Sequence, residues 1–320
     1  MSSLVPPLVT VPVDGGELAV GVWNDDRAGV PAVLAIHGIT ANHRCWPFVA
    51  EHLPGVRLIA PDLRGRGHSN ALGGPFGLEQ HVDDMIAVLD RLNEPRVAVV
   101  AHSMGAFVAV LLAARYPERV ASLTLVDGGL PLELPEGQKP GEREATALLG
   151  PAAKRLSMEF TSRDAYRDFW REHPAFREHW NEVVDGYVEY DLQGTAPHLR
   201  PSGRLDAVGA DVVELYGGDD YKDALASIRA PTTFLRAPRG LLDELTALYT
   251  LDRPHREPRV AGMTVVEVDD VNHYTIIFDR AGADVVASTV RAALAASLSS
   301  PPAISPQQAA QQATEHKGIA

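Results

Sequence analysis

The chain is short of sulfur and of positive charge, and each shortage narrows what it can be. Cys45 is the one cysteine in 320 residues, so neither an intrachain disulfide nor a cysteine metal cluster can form, and it reads as a small buried hydrophobe. Basic residues number 29 against 42 acidic ones, a net charge of −13. Phosphate-binding surfaces need a basic excess, so no nucleic-acid or anionic-membrane partner is expected. No apolar run approaches the ~18 residues that cross a bilayer. The opening MSSLVPPLVTVPVDGG has no basic residues ahead of its apolar ones, unlike a secretion signal. A cytoplasmic location is the resulting expectation. Internal repeats are absent. No G-x-G-x-x-G follows a strand pattern and no histidine and carboxylate set has ligand spacing, so neither a cofactor nor a metal is expected.

What is present is apolar residues, 45% of the chain, enough for one large domain or a domain with an insertion. Leu8–Val13 and Glu17–Trp23 alternate as strands about Asp14-Gly15-Gly16. Ala32–Ile36 and Val56–Ala60 are short strands apolar on both faces, with Arg44–Leu53 as the helix between them. Leu78–Leu92 places Val82, Met85, Ile86 and Leu89 on one helical stripe. Val97–Val100 is β-branched strand, Ala106–Ala114 a helix apolar on every side, and Val120–Val126 a strand ending at Asp127-Gly128-Gly129. Alternation then stops. Residues 130–229 show helical stretches and no strand pattern, and eight of the chain's twenty aromatics lie between Phe160 and Tyr190. This reads as a helical cap. Alternation returns at Pro231–Ala237, followed by an amphipathic, helix-like Leu241–Tyr249, the strand Met263–Val268 and the helix Ala281–Leu298. The expected organisation is a core from 1–129 and 230–298, a cap insertion at 130–229, and a Pro/Gln-rich disordered tail at 299–320.

Strand–helix alternation implies an α/β fold with a mostly parallel sheet and active groups gathered at the carboxyl ends of its strands. Three distant sites occupy such ends: His37-Gly38-Ile39, Ala101-His102-Ser103-Met104-Gly105, and Asn272-His273. Ser103 sits at a strand-to-helix corner of the form small-x-Ser-x-Gly. A serine is a poor nucleophile at neutral pH without a base within roughly 3 Å, which His273 can supply. The imidazole in turn needs an orienting carboxylate. Backbone N–H groups of Ile39 and Met104 are candidate oxyanion donors, with Gly38 allowing close approach. His37 and His102 are candidate supporting residues.

On these residues the chain resembles the α/β-hydrolase fold superfamily over roughly 8 to 298. His37-Gly38 is similar to the superfamily's oxyanion-loop HG, Pro61-Asp62-Leu63-Arg64-Gly65-Arg66-Gly67-His68-Ser69 to its PD-RGxGxS loop, and the Ser103 pentapeptide to its nucleophile elbow, with Ala101 for the first glycine. The resemblance implies an eight-stranded, doubly wound sheet and acyl hydrolysis through an acyl-enzyme, with a small apolar acyl or ester substrate. A serine at the elbow argues against epoxide hydrolases and haloalkane dehalogenases, which need a carboxylate nucleophile. Thioester, lactone or carbon–carbon hydrolysis and cofactor-free haloperoxidase-like chemistry are alternatives on the same residues, and a non-enzymatic receptor is another.

The acid is the departure from pattern. The turn after the strand before the last reads Arg236-Ala237-Pro238-Arg239-Gly240, and Asp243 comes late, at the start of a helix by sequence pattern. Asp127 is favoured over Asp243, with Asp252 and Asp270 as lesser options. Asp62 and Arg64 read as a loop-fixing network and His68 as an ordering residue of that loop. His43, His52, His81, His173, His179, His198, His255 and His316 are assigned to packing or solvent.

Overall fold

Two aliphatic strands, Ala32–Ile36 (β3) and Val97–His102 (β5), pair in parallel at the middle of an eight-stranded sheet. Their side chains alternate between two apolar layers. Leu34, Ile36, Val99 and Ala101 face one cluster, and Val33, Ala35, Ala98 and Val100 the other. Burial on both faces is why these strands lack a polar alternation. The sheet runs β1 (Leu8–Val13), β2 (Gly16–Trp23), β4 (Arg57–Pro61), β3, β5, β6 (Val120–Val126), β9 (Thr232–Arg236), β10 (Thr264–Glu267). β1 and β2 form an antiparallel hairpin, β2 is antiparallel to β4, and the remaining pairs are parallel. The computed structural model describes residues 4–25, 29–133, 154–256 and 258–299.

Helices cover both faces. α2 (Leu78–Arg91) turns Val82, Met85, Val88 and Leu89 inward, and α3 (Met104–Arg115) is buried from Met104 through Ala113. The opposite face is covered by α1 (Pro47–Glu51) and the long carboxyl-terminal α8 (Arg280–Ser299), through Phe48, Val49, Val286 and Val290. Each such side chain contributes about 1.5–3 kcal/mol when fully buried.

Between β6 and β9 lie α4 (Arg163–Arg171), α5 (Glu182–Asp191), α6 (Leu205–Val212) and α7 (Asp219–Ser227). Side chains cap two of them: Ser162 Oγ accepts from the Ala165 N–H, and Asn181 Oδ1 from those of Val183 and Val184. Their aromatics join the core, Tyr187 and Phe176 packing edge-on against Phe278 with ring centroids 5.0 and 5.3 Å apart.

Three expectations need correction. The 130–229 stretch contains strands: Leu192–Thr195 (β7) and His198–Pro201 (β8) form a hairpin, held where Phe160 bridges Leu199. Four-residue strands with one buried face of only two or three side chains are too short to show a period among Gly and Pro. Leu241–Tyr249 is turn and bend rather than helix. There Asp243 has a φ of +62°, its N–H bonds Gly240 O, and Leu245 points to solvent. The Arg44–Leu53 helix is broken by Pro47 into a 3-10 turn at His43–Cys45 and the short α1. The tail from 300 to 320, His316 included, and the 134–153 part of the insertion lie outside the described residues.

Candidate active site

The turn at Ser103 is built from close backbone approach. Ser103 has φ +55° and ψ −126°, a conformation that L-residues rarely adopt and that throws its side chain out of the corner. The corner is as tight as it is because its neighbours are small. A Cβ on Gly105 would lie 2.2 Å from Ile36 O, and one on Gly128 2.1 Å from Ser103 O. Ala101 is fully buried, and a methyl group serves where the superfamily pattern has glycine.

Around the corner the structure joins three residues in one hydrogen-bonded chain. His273, in the loop after β10, lies with Nε2 3.1 Å from Ser103 Oγ and donates from Nδ1 to Asp127 Oδ2 at 2.7 Å. Asp127, wholly buried at the end of β6 with φ +45°, also accepts the Ala237 N–H at 3.1 Å. With Nδ1 carrying a proton, Nε2 is free to take the one on Ser103 Oγ. Asp243 is elsewhere: its Oδ1 accepts from Arg239 Nε at 2.7 Å and from Asn272 Nδ2 at 3.0 Å. Asp270, largely exposed, accepts from Arg239, and Asp252 accepts from Thr250 and pairs with Arg256.

The HG loop faces the same serine. A Cβ on Gly38 would be 3.0 Å from Ser103 Cβ, so a larger residue would force Ser103 to give way by a few tenths of an ångström. Among the described residues neither the Ile39 nor the Met104 N–H has an acceptor. The peptide carrying the Ile39 N–H is fixed through its carbonyl, since Gly38 O accepts from His37 Nδ1 at 2.8 Å and from the Ala41 N–H at 3.2 Å. His37 Nε2 in turn accepts from the Leu63 N–H at 2.9 Å, which sets the tautomer. Burial pushes the His37 imidazole down to about 4, against the pull of Asp62. His102 Nε2 donates to the His273 carbonyl at 2.8 Å, so its role here is to hold the loop that carries His273. Burial, then the neighbouring His273, hold the His102 pKa well below its ordinary value.

Gly38, Ile39, His102, Ser103 and His273 line a narrow cavity of about 30 Å³. Its wall is apolar and aromatic: Leu241, Tyr274, Ile277 and Phe278 from the core, and Tyr187 from the insertion. These wall residues come from three separate segments, and only Tyr274, Ile277 and Phe278 share a spacing, so no motif announced them.

Asp62 and Arg64 form the expected network. Asp62 accepts from the His43 N–H and Nδ1, the His68 N–H and the Tyr190 hydroxyl, and Arg64 pairs with Asp84. His68 stacks on Tyr190 at 4.1 Å. Asn272 is named in the sequence only as the partner of His273, with no role of its own. It caps the His273 loop, accepting from the Tyr274 and Thr275 N–H groups and donating to Ala175 O of the insertion. Its place beside His273 was the available signal. Arg66 and Arg155, which reach the HG loop from opposite sides, were missed as well.

Comparison with known proteins agrees with this fold. A family model for the alpha/beta hydrolase fold matches residues 31–172. Lipase LipV of Mycobacterium tuberculosis is 41% identical over 106 residues, covering 33% of this chain but only 40% of that protein. The "Putative non-heme haloperoxidase" of Mycobacterium phage D29 is 32% identical over 78% of this chain and 80% of its own length. In three dimensions the thioesterase domain from the curacin biosynthetic pathway superposes with a TM-score of 0.71, at 22% identity, over 89% of this chain and 99% of that one.

Proposed function

The chain belongs to the α/β-hydrolase fold family, and from that premise we propose that it is a serine hydrolase that cleaves a carboxylic ester or a related acyl compound. The observation that carries the reading is the chain Ser103 Oγ, His273, Asp127 at 3.1 and 2.7 Å. Ser103 Oγ attacks the acyl carbon as His273 Nε2 takes its proton. Asp127 orients the imidazole and stabilises the imidazolium. The Ile39 and Met104 N–H groups receive the oxyanion. Collapse breaks the acyl–oxygen bond, and the alcohol leaves with the proton from Nε2. Water then repeats the sequence on the acyl-enzyme, releasing the acid and restoring Ser103. The apolar wall suits a small apolar acyl group, and the 130–229 insertion, supplying Tyr187, serves as a cap over the strand ends.

A fluorophosphonate probe tests this. One adduct per chain on wild type and none on Ser103→Ala is the expected intact-mass result; a folded wild type that takes no adduct refutes it. The haloperoxidase-like relative, matching most of both chains, favours a second reading, halide oxidation chemistry at the same serine. Bromide- and peroxide-dependent halogenation outrunning turnover across a panel of esters, thioesters and lactones would select it.

A further inference from the structure

Three successive carbonyls of the HG loop are pinned, and the last two are pinned by buried arginines. Gly38 O is held from within the core by His37 and Ala41. Ile39 O accepts from Arg66 Nε at 2.9 Å, and Thr40 O from Arg155 Nη2 at 2.7 Å. Ile39 and Ala41 anchor the loop by packing into the core, but the direction of its carbonyls is set by hydrogen bonds, and a planar guanidinium fork fixes direction as well as distance. The loop is thereby pressed against Ser103 on one side and tied to two arginines on the other.

Both arginines are fully buried and depend on carboxylates. Arg66 is ion-paired with Asp211 at 2.6 Å, and Asp211 is itself held by the Gly77 N–H at 2.8 Å and His81 Nε2 at 3.0 Å. Arg155 donates to Asp191 at 2.9 Å, and Asp191 accepts from Ser202 Oγ at 2.6 Å and from the Tyr166 hydroxyl. Burial disfavours the charge on Arg155, but Asp191 together with Tyr166, Tyr187 and Tyr274 outweighs it and raises its pKa. Arg155, Asp191 and Asp211 all lie between β6 and β9.

We infer that the insertion does more than cover the site: Arg155, countered by Asp191, and Asp211, acting through Arg66, are positioning residues that hold the Ile39 N–H against Ser103. This rests on the acyl-transfer reading above. A donor aimed where charge develops acts on the transition state and scarcely on the bound substrate, so loosening the clamp lowers kcat and leaves KM nearly alone. Any motion of the insertion away from the core breaks the Arg155–Thr40 bond and the Asp211–Arg66 pair together.

The test is the double variant Arg155→Met/Asp191→Asn, which removes the buried charges as a pair. With p-nitrophenyl acetate as substrate, the expected result is a fall in kcat of about 10- to 100-fold, short of the 10²–10³ of deleting an oxyanion donor. KM should change less than threefold, and inhibition by phenylboronic acid, which forms a tetrahedral adduct on a serine, should weaken by the same factor as kcat. A cooperatively melting double variant with wild-type kcat and boronate affinity overturns the inference. Should it not fold, Arg155→Lys is read instead, since it keeps a charge opposite Asp191 but loses the fork; wild-type kcat there is equally fatal. Ser103→Ala separates the two layers. Its turnover must be lost if the acyl-transfer reading holds, and if it survives, both readings fall.

Discussion

Replacing Asp127 by asparagine is the sharpest probe of the site, because the side chain keeps its shape and loses one acceptor. Asp127 satisfies two N–H donors, His273 Nδ1 at 2.7 Å and Ala237 N at 3.1 Å, with different oxygens in a fully buried position. An asparagine has one carbonyl oxygen and must choose. If the oxygen serves Ala237, the amide NH2 faces Nδ1 and the imidazole takes the other tautomer, with its proton on Nε2. It then cannot accept from Ser103, and the loss in kcat is about 10⁴-fold, or about 5 kcal/mol of barrier. If the oxygen serves His273, the Ala237 N–H is left facing a donor, which costs about 1–3 kcal/mol of stability. The expected outcome combines a kcat reduced about 10³- to 10⁴-fold with a modest fall in Tm. Asp243→Asn removes the charge opposite Arg239 at a half-exposed site while the remaining oxygen can still accept from Arg239 Nε and Asn272 Nδ2, so it should stay within about threefold of wild type. Initial rates on a chromogenic ester, with circular dichroism to certify folding, decide the matter. A folded Asp127→Asn within tenfold of wild type, beside an Asp243→Asn reduced by orders of magnitude, would refute the assignment.

Other perturbations follow from the same contacts. Gly128→Ala sets a Cβ 2.1 Å from the Ser103 carbonyl oxygen, so it should cost about 1–3 kcal/mol or more and displace the nucleophile; unchanged Tm and turnover would contradict the packing. Stability should fall as pH drops from about 6.5 toward 4. The buried His37 resists protonation down to about 4 while the unfolded chain takes up its proton near 6.5, a difference worth about 3 kcal/mol. Burial also depresses His173, to about 4. Urea midpoints that stay level between pH 7 and 4.5 would count against neutral buried imidazoles. Tyr190→Phe removes the 2.7 Å hydroxyl bond to Asp62 but leaves its bonds to His43 and His68. It should lower stability by about 1.5–3 kcal/mol and change turnover little; a large loss of turnover at unchanged Tm would assign Tyr190 to the chemistry instead.

The parts that could be read from the chain are those whose causes are local. Apolar runs too short for helices announced β3, β4 and β5, and the amphipathic stripe announced α2. The elbow was legible because a strand, a small-x-Ser-x-Gly turn and an all-apolar helix are contiguous. The hairpin β7–β8 escaped notice because four residues carry too little period, and the turn at 239–249 was misread because its stability comes from Arg239, Asn272 and the Gly240–Glu244 contacts rather than from helical spacing.

Which aspartate meets His273 is a different kind of fact. Asp127 and Asp243 both follow strands and both sit at positive φ. They differ in that β6 lies directly beside β5, the strand that ends at Ser103, while Asp243 follows β9, one strand further away. The loop after β10 has to fold back over both strands to reach Ser103, and it passes the end of β6 on the way. The two arginines behind the HG loop and the three-segment apolar wall are of this second kind. By itself the sequence determined the elbow and the strand and helix pattern, since each is encoded within a dozen neighbouring residues, and it carried the family in a few such short motifs. The Asp127–His273 contact, the pairing of Arg66 with Asp211 and of Arg155 with Thr40, and the pocket wall were decided only by tertiary structure, because each joins groups far apart in the chain whose meeting depends on the order of strands in the sheet.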